Sequence, residues 1–150
     1  MDKSACDNMT EIDRIIDVFK ALSDRTRLRI IWLFIKSKKW LCVCEIVDSL
    51  AENQYNVSRH LKILKNAGLV ECKEIGRWTY YYFKKPENKF YNIIQRAISE
   101  IPKEVFYQDD LRLEKRLSMR KNGWCVIGMN SKEWETIIKK LKSKFKNNLI

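Results

Sequence analysis

The spacing of apolar positions predicts a chain built mainly from helices. Residues 11–22 place apolar side chains three and four positions apart, and residues 24–36 repeat the pattern with a wider apolar face. Such a wide face is typical of a helix at the centre of a core. Ser23 or Asp24 is suited to cap the second helix. We therefore expect two consecutive amphipathic helices, of which the second is central.

Two further helical segments follow. They cover residues 42–51 and 54–66, and each has an apolar side. The polar residues from Glu52 onward end the first helix and form the turn between the two. Gly68 suits the position just after the end of the second helix. Two short helices joined by a tight turn predict a helix-turn-helix.

The periodicity then changes to that of strands. The β-rich segments 69–75 and 78–83 are separated by Gly76 and Arg77, a pair that suits a hairpin turn. A hairpin at this place corresponds to the wing of a winged-helix protein. The predicted fold class is therefore mainly α (α+β): a winged helix-turn-helix with a two-stranded β wing and an extra C-terminal helical extension.

Three more amphipathic segments complete the pattern, over 88–101, 108–120 and 131–147. Pro102 ends the first of them. We predict three regions: a flexible N-terminal arm (1–10), a winged helix-turn-helix domain (11–102), and a C-terminal helical extension that carries Cys125 (103–150).

Charge and composition narrow the function. The formal net charge is +11, from 30 basic and 19 acidic side chains, which favours a polyanionic partner such as nucleic acid. The N-terminus has no apolar core of a signal peptide, and no apolar run reaches the ~20 residues of a membrane span. These features predict a cytoplasmic protein without a membrane partner. Its five cysteines, an odd number in a reducing compartment, point to metal or redox chemistry.

The helix 54–66 has a candidate DNA-binding side. Val57, Leu61 and Leu64 share one face that must point to the core, so the opposite face is free for the major groove. Arginine there can pair with guanine edges and lysine can neutralise phosphate. The predicted DNA-binding residues are Gln54 at the helix start, Tyr55, Ser58, Arg59, His60, Lys62, and Arg77 at the hairpin tip. His60, the one histidine, flanks the buried face, so helix packing, a DNA contact and a metal ligand remain open for it.

Several motifs in order resemble one family. The segment ALSDRTRLRIIWLF is similar to the ALSDPTRLRIL pattern of the ArsR/SmtB metalloregulatory repressors, with Arg25 in place of the usual proline. NVSRHLKILKNAGLV and the hairpin ending in YYYF resemble that family's recognition helix and wing, and LCVCEI resembles its cysteine motif. The resemblance covers about residues 11–100. It implies a dimeric winged helix with the first helix and the 88–101 helix at the interface.

Cys42 and Cys44 open the first helix of the helix-turn-helix. Thiols two positions apart point to separate sides of a regular helix, so one ion can join them only where the helix start is open or frayed. Soft ions bind thiolates strongly, and a helix N-terminus favours the thiolate form. Closing such a chelate would distort the element that positions the recognition helix. We therefore expect ion binding to weaken DNA binding.

The resemblance indicates which cysteine supplies the third ligand of a three-sulfur site. Many arsenic sensors of the family carry a third cysteine one turn after the second, where this chain has Val47. Cys125 lies in a segment similar to the C-terminal extension of one arsenic-repressor subgroup, and Cys6 matches the N-terminal arm cysteine of cadmium- and lead-sensing relatives. The predicted ligands are Cys42, Cys44 and Cys125, with Cys6 as the alternative. The expected inducer is As(III) or Sb(III), with Cd(II) or Pb(II) also possible and no organic cofactor.

The sequence therefore predicts a homodimeric repressor that releases double-stranded operator DNA when it binds a thiophilic ion. The alternative is a repressor of the same fold that senses oxidants or polysulfide through a pair such as Cys42 or Cys44 with Cys125. A DNA binder with idle cysteines is a further reading. The chain has neither a C-x-x-C motif nor a Gly-rich phosphate loop, so we expect neither an enzyme nor a small-molecule substrate. The basic helix 131–147 is open to phosphate contacts, core packing or dimerisation.

Overall fold

The computed structural model describes residues 10–147. Within that range seven α-helices surround a small sheet. Their bounds are α1 Glu11–Leu22, α2 Arg25–Ser37, β1 Leu41–Cys42, α3 Val43–Leu50, α4 Gln54–Asn66, β2 Val70–Ile75, β3 Trp78–Phe83, α5 Lys89–Ser99, a 3-10 turn Lys103–Phe106, α6 Tyr107–Leu117 and α7 Lys132–Asn147. The predicted winged helix-turn-helix with a helical extension is confirmed. None of these helices combines the length and the apolar character that a bilayer span requires.

Local capping explains where the first helices begin. The Thr10 hydroxyl accepts the Asp13 N–H, and the Asp13 carboxylate accepts the Thr10 N–H, which makes a capping box at α1. Asp24, one of the two predicted caps, accepts the Arg27 N–H at 3.0 Å and starts α2. The two helices therefore begin within a residue of the predicted positions.

The wing is confirmed, and a third strand joins it. β2 and β3 form the predicted antiparallel hairpin around Gly76, whose φ of 62° suits glycine. β1 pairs with the other edge of β3, so the strand order is β1-β3-β2. Cys42 lies opposite Tyr80 in this pairing. The sequence pattern did not show β1, because two residues are too short to display a period of two.

The core forms around α2, as predicted. Five consecutive residues, 30–34, are buried there, and Ile30, Ile31 and Leu33 have no exposed surface. The apolar side of α4 packs against them through Val57, Leu61 and Leu64, which are also fully buried. Because this side of α4 is committed to the core, its opposite side is directed outward.

The C-terminal extension packs against the winged helix and shares its apolar core. Phe106 stacks on Trp32 of α2 with ring centroids 4.6 Å apart, and Leu113 of α6 joins the same apolar cluster. The carboxylate of Asp109 accepts two hydrogen bonds from Arg29, each 2.8 Å long. The boundary between 11–102 and 103–150 stays a prediction. The predicted arm lies, except for Thr10, outside the described residues, and so does Cys6.

Candidate thiolate site and nucleic-acid interface

Cys42 lies at the junction between the wing and the helix-turn-helix. It is the last residue of β1 and the N-cap of α3, with an extended backbone at φ −77° and ψ 158°. Its side chain is buried, while Cys44 in the first helical turn is partly exposed. The two thiols therefore do not belong to one regular helix. The open helix start that a chelate requires is already present.

Cys125 meets Cys42 in space. It lies in the loop between α6 and α7 and is 2 % exposed. The Cys42 thiol donates to the Cys125 sulfur across 2.9 Å, although the two residues are 83 positions apart in the chain. Cys44 packs against the same small cluster. The structure thus places the sulfurs of Cys42 and Cys125 in contact, and the Cys44 side chain packs against this pair.

Hydrogen bonding among the sulfurs makes two of them more acidic. Donation to Cys125, donation to Cys44 and burial together raise the pKa of Cys42. Accepting that bond lowers the pKa of Cys125, and the same effect lowers the pKa of Cys44 to about 7. The nearby guanidinium of Arg116 also favours both thiolates. The cluster therefore favours the thiolate form of Cys44 and of Cys125, whereas Cys42 favours its protonated form.

Glu45 adds a carboxylate beside the sulfurs, and sequence reasoning missed it. Donor atoms of Cys42, Glu45 and Cys125 lie within 4.8 Å of one another. The Glu45 carboxylate already accepts the Cys42 N–H at 3.0 Å and two bonds from Arg120, each 2.7 Å long. These bonds engage both oxygens, so sulfur is the more available donor. The available sequence signal was its place three residues after Cys42, the capping-box position of α3.

A buried ion pair holds the Cys125 loop against α3. Arg116 of α6 donates to Asp48 at 2.8 Å, and their side chains are 1 % and 0 % exposed. Burial raises the pKa of Asp48. Burial is the largest single effect on Arg116 and lowers its pKa, but the hydrogen bond to Asp48 and the nearby negative charges together raise it above the usual value. Arg116 further donates to the Ile127 carbonyl, and the Asn130 N–H donates to Asp48 at 3.0 Å.

Tyr80 links the same loop to the wing. Its hydroxyl accepts the backbone N–H of Cys125 at 2.9 Å, and its ring meets Trp124 edge to face. Tyr80 is also the β3 partner of Cys42. One residue of the wing therefore contacts two cysteines of the cluster through their backbones. The alternation of side chains along a strand indicates that Tyr80 points to the buried face, but it does not show what the Tyr80 hydroxyl contacts.

The other cysteine of the described chain lies apart from the cluster. Cys72 is in β2, where its sulfur accepts a hydrogen bond from the Lys65 ammonium group at 3.3 Å. A structural role in the wing fits this position. It therefore provides a useful control residue for tests of the thiol cluster.

The outer side of α4 carries the predicted DNA-binding residues. Tyr55 is 77 % exposed, and the remaining members on this helix side are exposed as well. They are Gln54, Ser58, Arg59 and Lys62. Arg77 sits in the turn of the hairpin, with its guanidinium 4.6 Å from the centroid of the Trp78 ring. These side chains form one exposed set along the helix and at the wing tip.

His60 does not share that exposure. Its side chain is 8 % exposed, and its Nδ1 lies 3.0 Å from an Arg27 guanidinium nitrogen of α2. Burial lowers its pKa, which keeps the ring neutral. The structure places His60 in the packing between α2 and α4. We therefore correct its assignment as a DNA-contacting residue and omit it from the interface.

Comparisons with known proteins agree with this architecture. Residues 24–71 match the family model described as "Bacterial regulatory protein, arsR family". An uncharacterized HTH-type transcriptional regulator of Methanocaldococcus jannaschii is 40 % identical over 74 residues, which cover 49 % of this chain and 82 % of that protein. An arsenic resistance transcriptional regulator of Pseudomonas putida is 33 % identical over 96 residues, covering 64 % and 74 %. A cadmium resistance CadC homolog of Staphylococcus aureus is 36 % identical, covering 45 % and 54 %.

Solved structures show the same fold. The homodimeric winged helix-turn-helix domain of a possible ArsR-family regulator from Mycobacterium bovis has a TM-score of 0.52 at 24 % identity, covering 74 % of this chain and 94 % of that one. HlyU from Vibrio cholerae has a TM-score of 0.51 at 23 % identity, covering 61 % and 98 %. At these identities the likeness concerns the arrangement of helices and wing.

Proposed function

The chain belongs to the ArsR family of DNA-binding transcriptional regulators, and from this premise we propose that it is a repressor which releases its operator when a thiophilic ion binds Cys42, Cys44 and Cys125. One observation carries the proposal: the sulfurs of Cys42 and Cys125, from distant parts of the chain, lie 2.9 Å apart at the start of the helix-turn-helix. As(III) or Sb(III) is the proposed inducer, with Cd(II) or Pb(II) as further candidates.

The chemistry of the donors supports a soft ion. Thiolate sulfur binds such ions strongly, whereas hard cations prefer oxygen. The carboxylate beside the sulfurs, that of Glu45, is already engaged by Arg120. A pyramidal As(III) centre takes three sulfur ligands, the number that Cys42, Cys44 and Cys125 can supply. The names of the Pseudomonas putida and Staphylococcus aureus relatives, which concern arsenic and cadmium resistance, agree with this class of inducer.

The position of Cys42 suggests how the ion acts on DNA binding. Cys42 caps α3, and α3 leads into α4 through a turn of three residues. Cys42 also pairs with Tyr80 in the wing. Drawing three sulfurs around one ion shifts the start of α3 and strains the β1–β3 pairing. An ion that binds the shifted state more tightly lowers operator affinity by linkage, by roughly 1–3 kcal/mol.

The DNA-bound form is proposed to be a homodimer. Apolar side chains remain exposed on α1 and α5: Ile12 is 65 %, Phe19 51 % and Ile93 51 % exposed. Phe19 and Phe90 join the two helices by an edge-to-face contact of 5.9 Å. A continuous apolar surface of this kind marks an interface. A two-fold pairing through it would present two α4 helices to successive turns of one operator.

A titration with ions tests the sensing role. Cys42→Ser, Cys44→Ser and Cys125→Ser should each bind the operator normally but fail to release it, because an ion-binding sulfur is missing. Gel shifts with arsenite, antimonite, Cd(II) and Pb(II) measure release, and Cys6→Ser is run alongside as the alternative ligand. Cys72→Ser is the matched control and should respond like the wild type. Release that persists in both Cys42→Ser and Cys44→Ser contradicts the proposal.

Replacing Arg59 tests the reading of the operator. Arg59→Ala should weaken operator binding by about 1–3 kcal/mol and relax the sequence preference, because an arginine pair with a guanine edge is lost. Lys62→Ala should instead weaken binding to all sequences alike, as expected for a phosphate contact. Fluorescence anisotropy on operator and unrelated duplexes measures both. Equal losses for Arg59→Ala on the two DNAs would argue against base readout.

The same geometry favours one second function, a redox sensor. Cys42 and Cys125 lie close enough to form a disulfide after a small movement. Two thiols would lose two electrons and two protons to an oxidant; hydrogen peroxide, for example, would become two waters. A thiol count together with operator affinity separates the functions. Release by peroxide or polysulfide with loss of two thiols favours the redox sensor, whereas release by arsenite under reducing conditions favours the ion sensor.

A further inference from the structure

The last helix combines a buried stripe with a strongly basic exterior. Trp134 and Leu141 of α7 are 4 % and 6 % exposed, and Phe145 meets Tyr107 of α6 edge to face. This stripe attaches α7 to the rest of the molecule. The lysines of the helix are exposed: Lys132, Lys139, Lys140, Lys142, Lys144 and Lys146. Packing therefore accounts for the stripe but leaves the lysines unexplained.

A groove places one side of α7 next to the start of α4. The groove has a volume of about 670 Å³. The turn between α3 and α4 lines one wall with Glu52 and Asn53, and α7 lines the other with Lys139, Lys142 and Phe145. Asn53 is the N-cap of α4, since its side chain accepts the Asn56 N–H at 2.8 Å. Lys139 and Lys142 thus flank the end of α4 that begins the exposed DNA-binding set.

The lysines of α7 divide into two flanks. A helix turns by about 100° per residue, so Lys139 and Lys142 lie on one side of the buried stripe, whereas Lys140 and Lys144 lie on the other. Only the first pair lines the groove beside α4. The two pairs carry the same charge on the same helix. They differ in the direction that they face.

The charges around the groove leave this first pair free. Three acidic residues line the groove as well: Glu52, Glu135 and Asp48, the last of which is paired with Arg116. Glu52 lies 3.8 Å from a guanidinium nitrogen of Arg29, and Glu135 is exposed. Within residues 10–147, neither Lys139 nor Lys142 has a carboxylate within ion-pair distance. Both ammonium groups are available to an external anion.

We propose that Lys139 and Lys142 of α7 contact the phosphate backbone of the DNA beside the groove that α4 enters, so that the extension forms part of the operator interface. The inference rests on the proposed role of α4 as the recognition helix. Phosphates border a major groove about 12 Å wide, so a basic helix next to the entering helix start is placed to meet them. These contacts position the protein and carry no base information.

The salt dependence of binding tests this. Operator duplex selected by the wild-type protein, and unselected duplex, are titrated by fluorescence anisotropy over a range of salt concentrations. The Lys139→Gln/Lys142→Gln variant is compared with the Lys140→Gln/Lys144→Gln variant. Two lost phosphate contacts should reduce the slope of log K against log salt by about 1.8, on both duplexes and with the ratio of the two affinities unchanged. The control variant should keep the wild-type slope.

Other outcomes overturn the inference. Equal slope changes in the two variants would show a general effect of net charge, and an unchanged slope in Lys139→Gln/Lys142→Gln would show that α7 does not reach the DNA. Circular dichroism establishes that both variants retain the wild-type helix content. The ion titration of the cysteine variants is independent of this measurement. A repressor that fails to respond to ions can still show the contacts of α7 with DNA. A repressor without those contacts can still respond to ions.

Discussion

Arg116→Met is expected to destabilise the protein by about 3–5 kcal/mol, the range for removing one partner of a buried ion pair. Methionine replaces most of the apolar volume of arginine but not its charge. Asp48, whose side chain is 0 % exposed, would be left buried, and within residues 10–147 its carboxylate would keep the Asn130 N–H alone as a partner. The Ile127 carbonyl, in the loop that carries Cys125, would also lose the hydrogen bond that Arg116 donates to it. Urea unfolding at one fixed protein concentration measures the change.

Two further variants identify the cause of that loss. Lys115→Met lies on the same helix with an exposed side chain and should change the free energy of unfolding by less than ~0.5 kcal/mol. The double variant Arg116→Met/Asp48→Asn should be less destabilised than the sum of its single variants, because it does not bury an unpaired charge. An Arg116→Met protein as stable as Lys115→Met would mean that water reaches the pair in solution.

Glu45→Gln is expected to destabilise the protein by about 1.5–3 kcal/mol, the range for hydrogen bonds that involve a charged group. Glutamine keeps the shape of the side chain and one acceptor for the Cys42 N–H. It does not provide the charge that meets the two Arg120 bonds. Glu114→Gln, an exposed change on α6, is the matched control and should be nearly neutral. The same unfolding measurement compares the two.

The ion affinity of Glu45→Gln separates two roles for this carboxylate. Besides the hydrogen bonds to the other thiols and burial, the charge of Glu45 raises the pKa of Cys42. Neutralising it should favour the thiolate, so arsenite affinity should be equal to or higher than that of the wild type. A tenfold or larger loss of affinity would show that Glu45 itself binds the ion. Competition with a dithiol chelator gives the affinities.

Much of the architecture follows from local sequence. The periodicity predicted helices over 11–22 and 54–66, and α1 and α4 have those bounds. Helix caps, turn glycines and alternating strands act within a few residues, so a short window contains the forces that form them. The pattern around Cys42 and Cys44 is local in the same sense, and with the family resemblance it indicated both the fold and the class of chemistry.

What the tertiary structure decided is the set of contacts between distant segments. Three features depend on how α6 and α2 pack against their neighbours. They are the contact of Cys125 with Cys42, the buried ion pair of Arg116 with Asp48 and the burial of His60. Periodicity shows which side of a helix is apolar, but it does not show which side chains meet across the interface. The reason is physical. The interactions that form a helix or a turn lie within a short stretch of sequence, whereas desolvation and charge pairing depend on residues that only tertiary packing brings near.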